Sequence, residues 1–211
     1  MRLIDLKKKL SKYQIIIFDL DDTIFSQQNY DTPALILVSK LIEKKIGISA
    51  KVIFQKLRKQ KKIRRGKAPQ LLFNNFFKNI KIDKKNLTIS KCVSMFQNFE
   101  CKNLANSKSN KLFIKNLYKD RTLFLVTNGN VARQNKKIKY LGIKKFFKRI
   151  YILDGVRKKI KPSIANTDTL VKFLKTHEAL KAVYVGDNMV SDKKFAKNLK
   201  IDFIFYEFPS I

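Results

Sequence analysis

Short apolar runs punctuate this chain, and each gives way to a polar or periodic stretch. Residues 14–18, 122–126, 149–153, 182–185 and 203–206 carry such runs. Apolar runs of four or five residues, without strict alternation, fit strands buried on both faces, as in a parallel sheet. The segments between them have helical spacing. Residues 131–141 follow the second run and end at Gly142, a residue suited to closing a helix. After the third run, Ser163 is placed to cap a helix whose Ile164, Thr167, Leu170, Val171 and Leu174 share a face. After the fourth, Ser191 is placed to cap a helix burying Phe195, Ala196 and Leu199. Strands alternating with helices predict an α/β fold, a parallel sheet covered on both sides.

One gap breaks the alternation. From residue 26 to residue 109 the pattern is helical throughout. Leu35, Val38, Leu41 and Ile42 share a face, as do Val52, Ile53 and Leu57; Leu71, Leu72 and Phe76, then Val93, Met95 and Phe96, supply others. Such a stretch is too long for a crossover loop. It predicts a helical domain at 26–109 inserted into a core formed by 1–25 and 110–211, with polar residues 102–111 as the returning linker. Phe73, Phe76 and Phe77, at helical spacing, read as the core of the insert rather than as a base-stacking platform.

Composition narrows the chemistry. The chain has 211 residues, 45% of them hydrophobic, which excludes wholesale disorder. Two cysteines, Cys92 and Cys101, are too few for a disulfide framework or a thiolate zinc site. The single histidine, His177, excludes a multi-histidine metal cluster and argues against a Ser-His-Asp triad. No apolar run near the start is long enough for a signal or membrane segment, so a soluble, cytoplasmic protein without a membrane partner is expected.

Lysine and arginine number 47 against 16 acidic residues, a formal charge of +31. The excess comprises 39 Lys and 8 Arg, spread over nearly the whole chain. Base and phosphate readout favours arginine in a patch. The spread therefore reads as compositional bias and solubility, with nucleic acid bound only weakly and non-specifically at low salt. The densest basic run, residues 56–67, reads as a solvated helix end.

Against this background the acids are informative. Asp19, Asp21 and Asp22 follow the first run, and Asp187 and Asp192 follow the fourth. Ligands of open parallel sheets bind beyond the carboxyl ends of the strands. Like charges gathered there need a compensating cation, and Mg²⁺ suits a site of carboxylates plus phosphate. Two further run ends carry suitable groups. Thr127-Asn128-Gly129 offers a hydroxyl, an amide and a turn before a helix N-terminus, and Lys161-Pro162 offers a cation.

These motifs, in this order, resemble the haloacid dehalogenase superfamily of aspartate-nucleophile phosphohydrolases in its helical-cap branch. The chain reads Ile15-Ile16-Ile17-Phe18-Asp19-Leu20-Asp21-Asp22-Thr23, then Phe124-Leu125-Val126-Thr127-Asn128-Gly129, then Lys161-Pro162. It closes with Val183-Tyr184-Val185-Gly186-Asp187-Asn188-Met189-Val190-Ser191-Asp192. The resemblance implies a Rossmann-like doubly wound sheet of order 5-4-1-2-3 with an inserted α-helical cap. Asp22 stands where the family often has glycine. Lys158 and Lys159 crowd the third motif, and Lys161 is chosen because the proline follows it.

The roles that the resemblance implies are these. Asp19 is the nucleophile and Asp21 the general acid and base. Asp19 and Asp187 give carboxylate ligands to Mg²⁺, and Asp21 gives its backbone carbonyl. Asp192 acts behind them, on the metal's waters or on Lys161. Lys161 neutralises charge, while Thr127 and the Asn128 N–H hold the phosphoryl oxygens. Asp21 favours phosphoryl transfer over dehalogenation, since the dehalogenases lack an acid there. The expected activity is a phosphatase acting on a small phosphorylated metabolite, a sugar phosphate or a nucleotide. The alternatives are a phosphomutase and a basic nucleic-acid-binding or end-processing protein.

Overall fold

The computed structural model describes residues 3–63, 69–78, 89–100, 107–155 and 160–208. Five strands form one parallel sheet: β1 (Ile15–Phe18), β2 (Thr122–Asn128), β3 (Arg149–Leu153), β4 (Ala182–Gly186) and β5 (Asp202–Phe205). Their spatial order is β3-β2-β1-β4-β5, the order expected from the resemblance. Each apolar run became a strand. β1 is central and wholly buried, with Ile15 opposite both Thr122 and Ala182. β2 and β3 are added on one side of β1 and β4 and β5 on the other, which makes the carboxyl edge between β1 and β4 the switch point of the sheet.

Helices cover both faces. They are α1 (Leu3–Leu10), α6 (Ser107–Tyr118), α7 (Val131–Leu141), α8 (Asp168–Thr176) and α9 (Ser191–Asn198). Ile15, Ile17, Phe124, Val126, Tyr151 and Tyr184 from alternate strand positions form one core with Leu170 of α8 and Phe195 and Ala196 of α9. Phe18 points the other way, beside Leu6 of α1 and Ile114 of α6.

Two helix starts differ from the sequence expectation. Helix α8 begins at Asp168, not near Ser163, because residues 161–166 form turns in which Asn166 takes φ +67°. Ser163 instead accepts a bond from the Ala165 N–H at 3.2 Å. At α9 the cap is Asn188, not Ser191: its Oδ1 accepts from the N–H groups of Val190 and Ser191, both at 2.9 Å.

The chain divides into two compact units, residues 1–27 with 103–211 and residues 28–102. The second unit is helical: α2 (Gln27–Ile46), α3 (Ala50–Ile63), α4 (Pro69–Lys78) and α5 (Ile89–Asn98). Pro69 opens α4, where its missing N–H has no intrahelical partner to lose. Leu35, Val38, Ile42, Ile53, Leu57, Leu72, Phe73, Phe76 and Phe96 fill its core. Val52 and Leu71 do not join it and are exposed. Cys92 is buried there, and burial pushes its thiol up to about 11, which makes it inert. Cys101 lies outside the described residues. Part of the expected linker is also helix, since 107–111 open α6. Lys56, Arg58 and Lys59 of the basic run are exposed on α3; residues 64–67 lie outside the described residues. Among the described residues no helix is long and apolar enough to cross a membrane.

Candidate active site

Because β1 and β4 pair in register, the residues that follow them emerge side by side. The Asp19 N–H donates to the Val185 carbonyl at 2.9 Å, so the last bond of the ladder fixes where its carboxylate begins. Asp187 leaves β4 one residue beyond Gly186. One oxygen each from Asp19, Asp187 and Asp192 lies within 4.8 Å of the others. The first two came from one sequence motif each, 168 positions apart.

Asp192, in the first turn of α9, reaches back over the end of β4. Its Oδ2 accepts from the Asn188 N–H at 3.1 Å. A Cβ on residue 186 would stand 2.7 Å from Asp192 Cγ and 2.9 Å from its Cβ, so the approach depends on Gly186.

The cation facing these acids is Lys161. Its ammonium is buried and meets Asp19 Oδ1 at 2.5 Å, Asp192 Oδ1 at 2.8 Å and the Tyr184 hydroxyl at 2.9 Å. Tyr184 in turn donates to the Val126 carbonyl at 3.0 Å, which ties the lysine to the sheet. The Lys161 N–H donates to Asn128 Oδ1 at 2.9 Å, so the Asn128 side chain anchors the lysine's backbone. Lys158 and Lys159 lie outside the described residues.

Burial acts against the Lys161 charge, but Asp19, Tyr184 and Asp192 hold its pKa well above the ordinary lysine range. Burial likewise pushes the Asp19 carboxyl up. Lys161 opposes that push, and the nearby charges of Asp192 and Asp21 add to it. Asp187 is raised to about 7, by burial first and then by the charges of Asp192 and Asp22. Carboxylates crowded until they resist ionising are a donor set for a hard divalent cation. The residues fit such an ion.

Asp21 turns to a different set of partners. Its Oδ1 pairs with Lys137 Nζ at 2.7 Å, and its Oδ2 accepts from Gln134 Nε2 at 3.0 Å. Gln134 also donates to Thr127 Oγ1 at 2.8 Å and lies 3.1 Å from the Asn128 carbonyl. Thr127, buried at the end of β2, therefore keeps its hydroxyl proton free to donate to an anion. The turn that makes room is Gly129, at φ +149°, where a Cβ would press on the Gln134 side chain at 3.1–3.2 Å. Asp22 sits at φ +56°, the left-handed region, which accounts for glycine being an alternative there. Sequence reading missed Gln134, Lys137 and Tyr184.

Residues 16–206 match the profile of the haloacid dehalogenase-like hydrolases. Among solved structures, the hydrolase YfnB from Bacillus subtilis, bound to magnesium, superposes with a TM-score of 0.71 at 20% identity. The match covers 92% of this chain and 89% of that one. A protein from Thermotoga maritima assigned as a β-phosphoglucomutase gives 0.62 at 16% identity, covering 94% and 88%. One from Clostridium difficile assigned as a phosphatase gives 0.60 at 19% identity, covering 95% and 89%. No curated protein sequence matches the chain.

Proposed function

The chain belongs to the haloacid dehalogenase-like hydrolase family, and from that premise we propose that it is a Mg²⁺-dependent phosphatase of a small phosphorylated metabolite. The observation that carries this reading is the convergence of Asp19, Asp187 and Asp192 on one another and of Asp19 and Asp192 on Lys161. A magnesium-bound relative of the same fold supports the choice of ion. The Asp19 and Asp187 carboxylates and the Asp21 carbonyl would hold Mg²⁺, which supplies positive charge against the phosphoryl oxygens. Asp192, with both its oxygens engaged by Lys161 and the Asn188 N–H, acts through the lysine rather than as a ligand.

An Asp19 carboxylate oxygen attacks phosphorus while the bond from phosphorus to the leaving oxygen breaks. The Asp21 carboxyl, carrying its proton on an oxygen lone pair that neither Lys137 nor Gln134 occupies, passes it to that oxygen, which departs as an alcohol. Water then attacks the aspartyl-phosphate and gives its proton to the Asp21 carboxylate. The bond from phosphorus to Asp19 breaks, and phosphate and both free aspartates are restored. Lys161 and the Thr127 hydroxyl offset the charge on the phosphoryl oxygens throughout. Asp21 sets this chemistry apart from carbon–halide cleavage, whose leaving halide needs no proton. The helical unit, by the same reading, is the cap that selects the leaving group.

Asp19→Asn tests the proposal. It is expected to abolish hydrolysis of p-nitrophenyl phosphate in Mg²⁺ while leaving the circular dichroism spectrum unchanged. Full activity in that variant would refute the nucleophile and the mechanism with it.

A further inference from the structure

Lys137 and Gln134 lie three residues apart on α7 and so share one face of it. Each is only 1% exposed. The Lys137 ammonium, sealed from solvent, pairs with Asp21 Oδ1 at 2.7 Å and rests 5.5 Å from the centre of the Phe25 ring. Gln134 holds the other oxygen of the same carboxylate. Its orientation is fixed by chemistry: Nε2 faces a carboxylate, a hydroxyl and a carbonyl, and turning the amide over would set Oε1 against two of those acceptors. Oε1 itself has no partner among the described residues. That arrangement is the cost of aiming the NH₂ at Asp21 and Thr127 together. Two donors from one rigid helix thus fix both ends of the Asp21 carboxylate, and one of them fixes Thr127 as well.

We infer that Lys137 and Gln134 are positioning residues that orient the Asp21 carboxyl for proton transfer to the leaving oxygen. Both side chains are sealed from solvent, so each acts through a neighbour. Lys137 is enclosed, and Gln134 acts through Asp21 and Thr127. The inference rests on the phosphatase reading, in which the phosphorus–oxygen bond breaks as the Asp21 proton moves to the departing oxygen. Its consequence is specific to the leaving group. A p-nitrophenolate departs without a proton, whereas a phenolate, and still more an alkoxide, needs one.

The experiment compares wild-type protein with Lys137→Met, Lys137→Arg and Gln134→Leu on p-nitrophenyl, phenyl and glycerol phosphates. The quantity compared is kcat/KM, which reads steps only up to the first irreversible one. For Lys137→Met and Gln134→Leu the loss should grow with leaving-group basicity, and be at least about tenfold greater for glycerol phosphate than for p-nitrophenyl phosphate. Lys137→Arg should recover much of the difference. An equal loss on all three esters, or no loss, would overturn the inference. If Lys137→Met does not fold, Gln134→Leu carries the same comparison. Wild-type protein inactive on every ester, or an active Asp19→Asn, would instead defeat the phosphatase reading, so the two failures are distinguishable.

Discussion

A single methyl group at position 186 is enough to disturb this site. Asp192 cannot yield easily, because it is 1% exposed and held at one oxygen by Lys161 and at the other by the Asn188 N–H. Gly186→Ala is therefore expected to displace Asp192 and, through it, Lys161. Overpacking of this kind costs about 1–3 kcal/mol, visible as a lower denaturation midpoint. The proposed phosphatase activity should fall with it. An alanine variant with unchanged midpoint and activity would mean that the site accommodates the methyl group, contrary to the contact at Asp192. The same scale explains why some residues spoke from the sequence and others did not. Five of sixteen acids following two apolar runs is an uneven distribution that can be seen without coordinates. A functional lysine among 39 is invisible, and Lys161 was found only through its proline and its place in the order of motifs. Lys137 had no such marker.

Among the elements, α7 holds Asp21 in place, since it presents Gln134 and Lys137. It is closed at both ends. Asn130 caps it by accepting from the Arg133 N–H at 3.0 Å, and Gly142 ends it at φ +62°, its N–H bonding to the Ile138 and Lys139 carbonyls. Asn130→Ala should cost about 1 kcal/mol from the lost cap. Gly142→Ala should cost a further 1–2 kcal/mol, roughly, from forcing a Cβ into the left-handed region. The ends share no partner, so the double variant should show about the sum of the two in urea melts. A clear excess over the sum would show that the helix unfolds as a unit from either end. Elements like β1 and β4 were legible because strands covered on both faces must be apolar throughout, and α7 because its terminal glycine was plain. Helix α1 was not, since lysine fills its exposed positions and leaves only Leu6 and Leu10 as buried signal. The start of α8 was misplaced because Ser163 has the chemistry of a cap while the turn around Asn166 decides where the helix begins.

For the whole molecule, the same acids that mark the site also set its response to pH. Asp187 has a folded pKa of about 7 against an ordinary value of 3.8, so the native state prefers its neutral form. A raised carboxyl pKa contributes stability that is present in full below the unfolded value and is lost as pH rises through the folded one. Without a divalent ion, the protein should therefore lose stability between about pH 4 and pH 7. A cation has the opposite effect, because it binds the ionised carboxylates and must compete with protons below pH 7. Asp19, pushed up to about 8 by burial in the same cluster, titrates here as well and carries the loss on toward pH 8. Mg²⁺ is thus expected to raise the melting temperature more at pH 8 than at pH 6, and the increment should disappear in Asp187→Asn. A ligand at 100 times its Kd contributes about 2.7 kcal/mol, large enough to read in a thermal shift at each pH. An increment independent of pH, or one that survives in Asp187→Asn, would remove the carboxylate cluster as the place where the ion binds.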